Sequence, residues 1–186
     1  TLPTSSAASD VYKRQGLWQM PSEIYYHLSD RDAGRIIAAL RAAPRVAGGF
    51  EYEFRPGPST RWGLMTGDWW AIPVDVGRLG PRMPEPDPAD TVAYGAYLAR
   101  TVCTECHGLE LRGGGRTPDL AVVVAYSFDD FARFLRTGVA RGDRELPRMS
   151  DVARRRFRHF TPAELRSLYA FLQARARSAV SEPSGD

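Results

Sequence analysis

Along most of this chain the apolar positions recur every three to four residues, the spacing of a helix with one face in a core. The first such run leads from Leu28-Ser29-Asp30-Arg31-Asp32 to Leu40-Arg41. Ser29 is the expected N-cap with Asp32 at N3, Ile36, Ile37 and Leu40 fall on or beside one face, and Pro44 stops the helix. Asp87-Pro88-Ala89-Asp90 opens a second helix by a cap, a proline at N1 and an acid at N3, and the pattern carries it to Val102. Gly95 inside it is costly by roughly 1 kcal/mol relative to alanine. Ser127-Phe128-Asp129-Asp130 opens a short helix that Gly138 ends, with Phe128, Phe131 and Leu135 facing inward. Phe160-Thr161-Pro162-Ala163-Glu164 opens the last one, through Leu172.

Between the first two helices the pattern changes. Gly48-Gly49, Pro56-Gly57-Pro58, Pro73, Gly77, Gly80-Pro81, Pro84, Pro86 and Pro88 are turn formers at a density that breaks any long regular element. The expectation is an irregular linker that packs Trp62 and Trp69-Trp70 against a domain surface. Phe50, Tyr52 and Phe54 alternate with charged residues and predict one short strand. Leu28-Ser29-x-x-Asp32 also aligns with Phe160-Thr161-x-x-Glu164, and Ile36, Ile37 and Leu40 with Leu168, Tyr169 and Leu172. This reads as an internal repeat whose first copy lacks an upstream half; the alternative is that any capped amphipathic helix shares the pattern.

Composition narrows the class. Hydrophobic content of 43% and charged content of 25% over 186 residues are those of a globular chain of one ordinary or two small domains. No apolar run of about 18 residues is present, so no membrane span is expected. The net charge of +3 does not point to nucleic acid. The basic run Arg154-Arg155-Arg156 with Arg158 is either a solvated face or a docking patch for an acidic redox partner. Lys13 is the one lysine among 25 basic residues, and it lies in Thr1 to Gln15, a segment that resembles translated adaptor sequence. The chain is therefore expected to be a fragment truncated on its N-terminal side, with any signal or anchor missing.

The chemistry concentrates at Cys103-Thr104-Glu105-Cys106-His107. Two thiols one helical turn apart, followed at once by an imidazole, is the attachment signature of c-type haem: the thiols add across two vinyl groups on one porphyrin edge, and the histidine binds the iron. Structural zinc wants four protein ligands, and the chain has only these two cysteines, with His27 and His159 isolated elsewhere. A redox Cys-x-x-Cys would normally follow a strand, whereas a helical pattern precedes this one.

From about Asp87 onward the sequence resembles a class I cytochrome c domain. The anchors are Gly95 with Tyr97-Leu98, Cys103 to Gly108, Thr117-Pro118-Asp119-Leu120 after a glycine-rich loop, Phe131 to Gly138, Met149, and Thr161 to Leu172. The resemblance implies an all-α fold around one covalent haem c, attached through Cys103 and Cys106, with His107 and Met149 on the iron. It also implies that the Pro118 carbonyl orients His107 and that Gly95 lets the first and last helices cross closely, against Tyr169 or Leu172. His159 is the rival distal ligand, and Met65 and Met83 are read as linker packing residues. The expected order is an adaptor-derived segment at 1–15, the C-terminal remnant of an upstream cytochrome c-like domain at 16–45 with Met20 as its former distal ligand, a linker at 46–86, the cytochrome c domain at 87–178 and a disordered tail at 179–186. The function implied is electron transfer to redox partner proteins such as a dehydrogenase or terminal oxidase, in the periplasm or on the extracytoplasmic face of a bacterial membrane, within a respiratory chain. Two other readings stay open: a fragment of the multi-haem cytochrome subunit of a membrane-associated dehydrogenase, and a thiol- or zinc-based regulatory module.

Overall fold

A computed structural model of the chain describes residues 24–44, 57–66, 79, 81–84 and 86–181. The segment 1–15, Met20, the alternation at Phe50 to Phe54, Trp69-Trp70 and residues 182–186 lie outside the described residues. The chain divides into two compact units, Thr1–Tyr26 with Asp30–Arg82, and His27–Ser29 with Met83–Asp186.

In the first unit, α1 runs Asp30–Ala42, with Asp30 and Asp32 in its first turn and Arg41 in its last, each sign at the end of the helix dipole that favours it. None of its residues is buried, and Ile36, Ile37 and Leu40 are 48%, 48% and 70% exposed. The expected apolar face is present and uncovered. The linker expectation needs a correction, because α2 runs Pro58–Thr66 within it. A proline in the first turn loses no helical hydrogen bond there, so Pro58 starts this helix instead of preventing one. Nor does Trp62 pack as expected: it is 68% exposed.

The second unit is helical with one small hairpin. It contains α3 (Thr91–Val102), α4 (Thr104–His107), a 3-10 helix (Leu120–Ala125), α5 (Phe128–Thr137), β1 (Val139–Ala140), β2 (Arg144–Glu145), α6 (Met149–Arg155), a second 3-10 turn (Phe157–His159) and α7 (Pro162–Ser181). The strands pair antiparallel with Val139 opposite Glu145 and Ala140 opposite Arg144. The segment between Gly138 and Thr161 is thus mostly regular.

Local caps set the boundaries. Asp90 caps α3, its carboxylate accepting from the N–H of Val92 and of Ala93. Asp87, the expected cap, instead accepts from Ala89 N–H at 2.9 Å and forms the turn before the helix. The proline at its centre suits that turn, and the helix starts one residue after the second acid. Thr161 and Glu164 cap α7 reciprocally, Glu164 accepting from Thr161 N–H at 2.7 Å and Thr161 from Glu164 N–H at 3.2 Å. Ser127 accepts from Asp130 N–H, and Gly138, in the left-handed region with φ 76°, ends α5.

The core gathers Tyr97 and Leu98 of α3, Leu120 and Val123 of the 3-10 helix, Phe131, Phe134 and Leu135 of α5, and Leu165, Leu168 and Leu172 of α7, all buried. Its principal packing is α3 on α7. At their crossing a Cβ on Gly95 would stand 1.9 Å from the Ser167 carbonyl oxygen and 2.8 Å from Phe171 Cβ. The close approach is as expected, but the partners are Ser167 and Phe171. Tyr169, one of the two expected partners, lies against Phe128 and Phe131.

Candidate functional site

The end of α3 and the single turn of α4 build the site. Cys103 closes α3, its N–H bonded to Ala99 O at 3.0 Å, and the turn continues with His107 N–H on Cys103 O at 2.9 Å. Thr104, buried, ties the turn back by donating to Arg100 O at 2.9 Å. Cys103 is half-buried, Cys106 is exposed, and both are free thiols. Burial pushes the Cys103 thiol up to about 12, and the neighbouring Cys106 adds to it.

His107 is buried, 7% exposed, and its Nδ1 lies 2.9 Å from the Pro118 carbonyl oxygen. A carbonyl can only accept, so Nδ1 donates its proton to Pro118, and the tautomer this selects for the uncharged ring has its lone pair on Nε2. No further hydrogen-bond partner of the ring is found among the described residues. Two thiols, those of Cys103 and Cys106, stand on the same turn.

The loop between His107 and Pro118 is shaped for this contact. Gly113, at φ 72°, donates its N–H to His107 O at 2.8 Å. A Cβ there would stand 2.2 Å from Thr117 O and 2.5 Å from Pro118 O, so only glycine lets the proline carbonyl pass so close. The three consecutive glycines were the available sequence signal for Gly113. Nothing in the sequence assigned it this place.

Met149 is the first residue of α6, half-buried against the same apolar cluster that Cys103 borders. The next residue, Ser150, is fully buried and was not anticipated: its hydroxyl accepts from Leu146 N–H at 2.8 Å and donates to the Gly138 carbonyl. A Cβ on Gly138 would stand 2.6 Å from Ser150 O, so the glycine that ends α5 also admits this contact. The hairpin is thereby closed onto the start of α6, beside Met149.

His159 is exposed and its Nε2 accepts from Arg158 Nε at 3.2 Å. His27 accepts from Met83 N–H at 3.2 Å through Nδ1, Met83 is half-buried, and Met65 is 81% exposed. The basic run is tied down at home: Arg154 pairs with Glu145, Arg155 with Asp151, and Arg156 with Glu105 inside the cysteine motif. A groove of about 390 Å³ lined by Phe128, Arg133, Arg136, Pro162 and Arg166 includes no residue of the motif. Among the described residues no group of three or more His, Cys, Asp or Glu could hold a metal ion, and no helix is long and apolar enough to cross a membrane.

A buried imidazole and two thiols thus share one turn, in a helical fold whose first and last helices pack on each other. Residues 92–176 match the family described as Cytochrome c, which supports a class I c-type cytochrome domain over that part of the chain. Comparison with the curated proteins and with the solved structures returns no match. Domains of this family carry covalently bound haem c and transfer electrons to redox partners; they are electron carriers. The donor set fits such a group, with an imidazole held through Nδ1 that leaves Nε2 to bind, two free thiols on one turn and a thioether bordering the same core.

Proposed function

We propose that this chain transfers single electrons through one haem c, attached at Cys103 and Cys106 and ligated by His107 and Met149. The observation that carries the reading is His107 itself, buried with Nδ1 held by Pro118 and Nε2 free of protein partners among the described residues. The group supplies one-electron iron chemistry when bound. Cys103 and Cys106 would anchor it to the turn that ends α3, and Pro118 holds the plane of the His107 ring through Nδ1 and would strengthen Nε2 as a ligand. Met149 offers a thioether, a poorer donor than imidazole that favours the reduced metal and raises the potential. The aromatic and leucine core beside it excludes water. With His107 and Met149 both held to the iron, the group would be left to exchange electrons and not to bind a substrate. The acceptors are redox proteins in an extracytoplasmic compartment. Expressed with a haem-ligation system, the chain should carry one haem per polypeptide that resists acid–acetone extraction. Met149→Ala should abolish the weak near-red charge-transfer band of thioether-bound ferric iron while the haem stays attached; a band lost in His159→Ala and kept in Met149→Ala would reassign the ligand.

The uncovered face of α1 favours a second reading, in which the parent protein is a multi-haem cytochrome subunit of a membrane-associated dehydrogenase. Ile36, Ile37 and Leu40 are exposed as they would be in a helix parted from its own haem and partner helix. The intact gene decides this one: an upstream open reading frame without a second Cys-x-x-Cys-His would remove it.

A further inference from the structure

Arg175, on α7, is absent from every motif in the sequence, yet its guanidinium is the most buried of the ion-paired arginines described, 18% exposed. It makes two contacts. Nη1 donates to Asp119 Oδ1 at 2.8 Å and Nη2 donates to the Glu110 carbonyl oxygen at 2.9 Å. The same Oδ1 accepts from Ala121 N–H at 2.7 Å, so one carboxylate oxygen is fixed from two sides.

These contacts bracket the loop that carries Pro118. Glu110 precedes Leu111, a buried residue held at φ 57°, where a side chain is strained and relaxes unless its neighbours prevent it. Asp119 follows Pro118, and the Pro118 carbonyl belongs to the same planar peptide group as the Asp119 N–H. The ring of Pro118 fixes its φ, so one torsion, its ψ, remains to swing that carbonyl. Pinning Asp119 by its side chain removes that torsion, while Gly113 closes the other side of the carbonyl.

We propose that Arg175 is a positioning residue for His107: by gripping Glu110 and Asp119 together it holds the Pro118 carbonyl on Nδ1 and thereby sets the donor strength of Nε2. The proposal rests on the ligation reading only for its effect on the metal, since the Pro118 contact belongs to the chain itself. Lysine keeps the charge but not the fork, because an ammonium is a point donor that cannot span both acceptors as a planar guanidinium does.

The test uses the full chain with covalent haem and three variants, Arg175→Lys, Arg175→Gln and Asp119→Asn, with Arg155→Lys at the exposed Asp151 pair as control. In Arg175→Lys and Arg175→Gln the His107 Nδ1 proton, followed by nuclear magnetic resonance with nitrogen-labelled histidine, should exchange faster by on the order of tenfold, the factor that corresponds to the upper end of one hydrogen bond's net worth. In the charge-conserving Arg175→Lys the midpoint potential should rise, because a weaker Pro118 bond makes His107 a poorer donor; the control should move neither quantity. Unchanged exchange and potential in both Arg175 variants would overturn the proposal. If Arg175→Gln does not fold, Arg175→Lys and Asp119→Asn decide it by the same readings. A wild-type chain without covalent haem would refute the ligation reading, not this one, and the same proton exchange measured in the unloaded chain would then settle it.

Discussion

His107 is held at both ends of its reach: its backbone carbonyl accepts from Gly113, and its ring meets the carbonyl of Pro118. Gly113 therefore serves two contacts at once, which explains why a side chain there would meet the proline carbonyl. Next to it, Asp119 has its carboxyl held below the usual range, chiefly by the hydrogen bond from Arg175, with burial working against this and Ala121 N–H supporting it. For a depressed carboxyl the sign is fixed: its stabilisation is present above the unfolded value of about 3.9 and is lost as pH falls through the lowered folded value. Asp119→Asn should therefore lower stability at neutral pH and flatten the acid limb of the stability curve between those two values. Because the carboxylate is 42% exposed, the effect at neutral pH belongs at the scale of a partly screened pair, up to about 1 kcal/mol. Urea titrations at a series of pH values read it, and parallel wild-type and variant curves across the acid limb would contradict it. At this scale the cysteine motif and the Pro118 contact were legible in the sequence, the second through family resemblance alone. Arg175 and Ser150 were not, because their contacts join residues 56 and 12 positions apart and nothing local marks them.

Single elements show the same division. Caps written in neighbouring residues were readable, and Thr161 with Glu164 and Ser127 with Gly138 are where the pattern put them. At Asp87 and Asp90 two acids competed for one cap, and only the position of the turn decided it. Where two helices meet, periodicity gives the face and not the register, which is why Gly95 found Ser167 and Phe171. Gly95→Ala should force α3 from α7, since the new carbon would overlap a backbone oxygen that cannot rotate away. The strain, about 1–3 kcal/mol, exceeds the gain of about 1 kcal/mol in helix propensity. A lower melting midpoint of the cytochrome domain checks this; an unchanged or raised midpoint counts against the interlock. In α1 the opposite holds: with no buried residue, little opposes opening of that helix. Amide hydrogens of Asp30–Ala42 should exchange quickly and those of α3 and α7 slowly, and equal protection in the three helices would show that α1 has support of its own.

Over the whole molecule, arginine carries almost all the positive charge, and much of it is used internally. Arg154, Arg155 and Arg156, which in the sequence looked like a face offered to an acidic partner, each hold a carboxylate of their own chain. A run of like charge says nothing about where its counter-charges sit, and here they come from β2, from α6 itself and from the cysteine motif. The mostly helical character was legible because periodicity is a local signal. The hairpin Val139–Glu145 was not, since strands of two residues leave no alternation to detect.

The packing of α3 on α7 also decides what happens to a broken chain. These helices open and close the cytochrome domain, and α7 packs as well on the 3-10 helix and on α5, while α6 packs on α5. A cut in the hairpin turn at Gly142-Asp143, both exposed, would part the polypeptide into one piece ending after α5 and β1 and another holding β2, α6 and α7. The buried cluster draws on both pieces, with Phe157, Leu165, Leu168 and Leu172 supplied by the second, so each covers apolar residues of the other. With a specific protease site placed there, the cleaved domain should still elute as one particle in native size-exclusion chromatography and separate into two bands only in denaturant. Fragments that part under native conditions would mean that backbone continuity, not the meeting of the two helices, holds the domain closed.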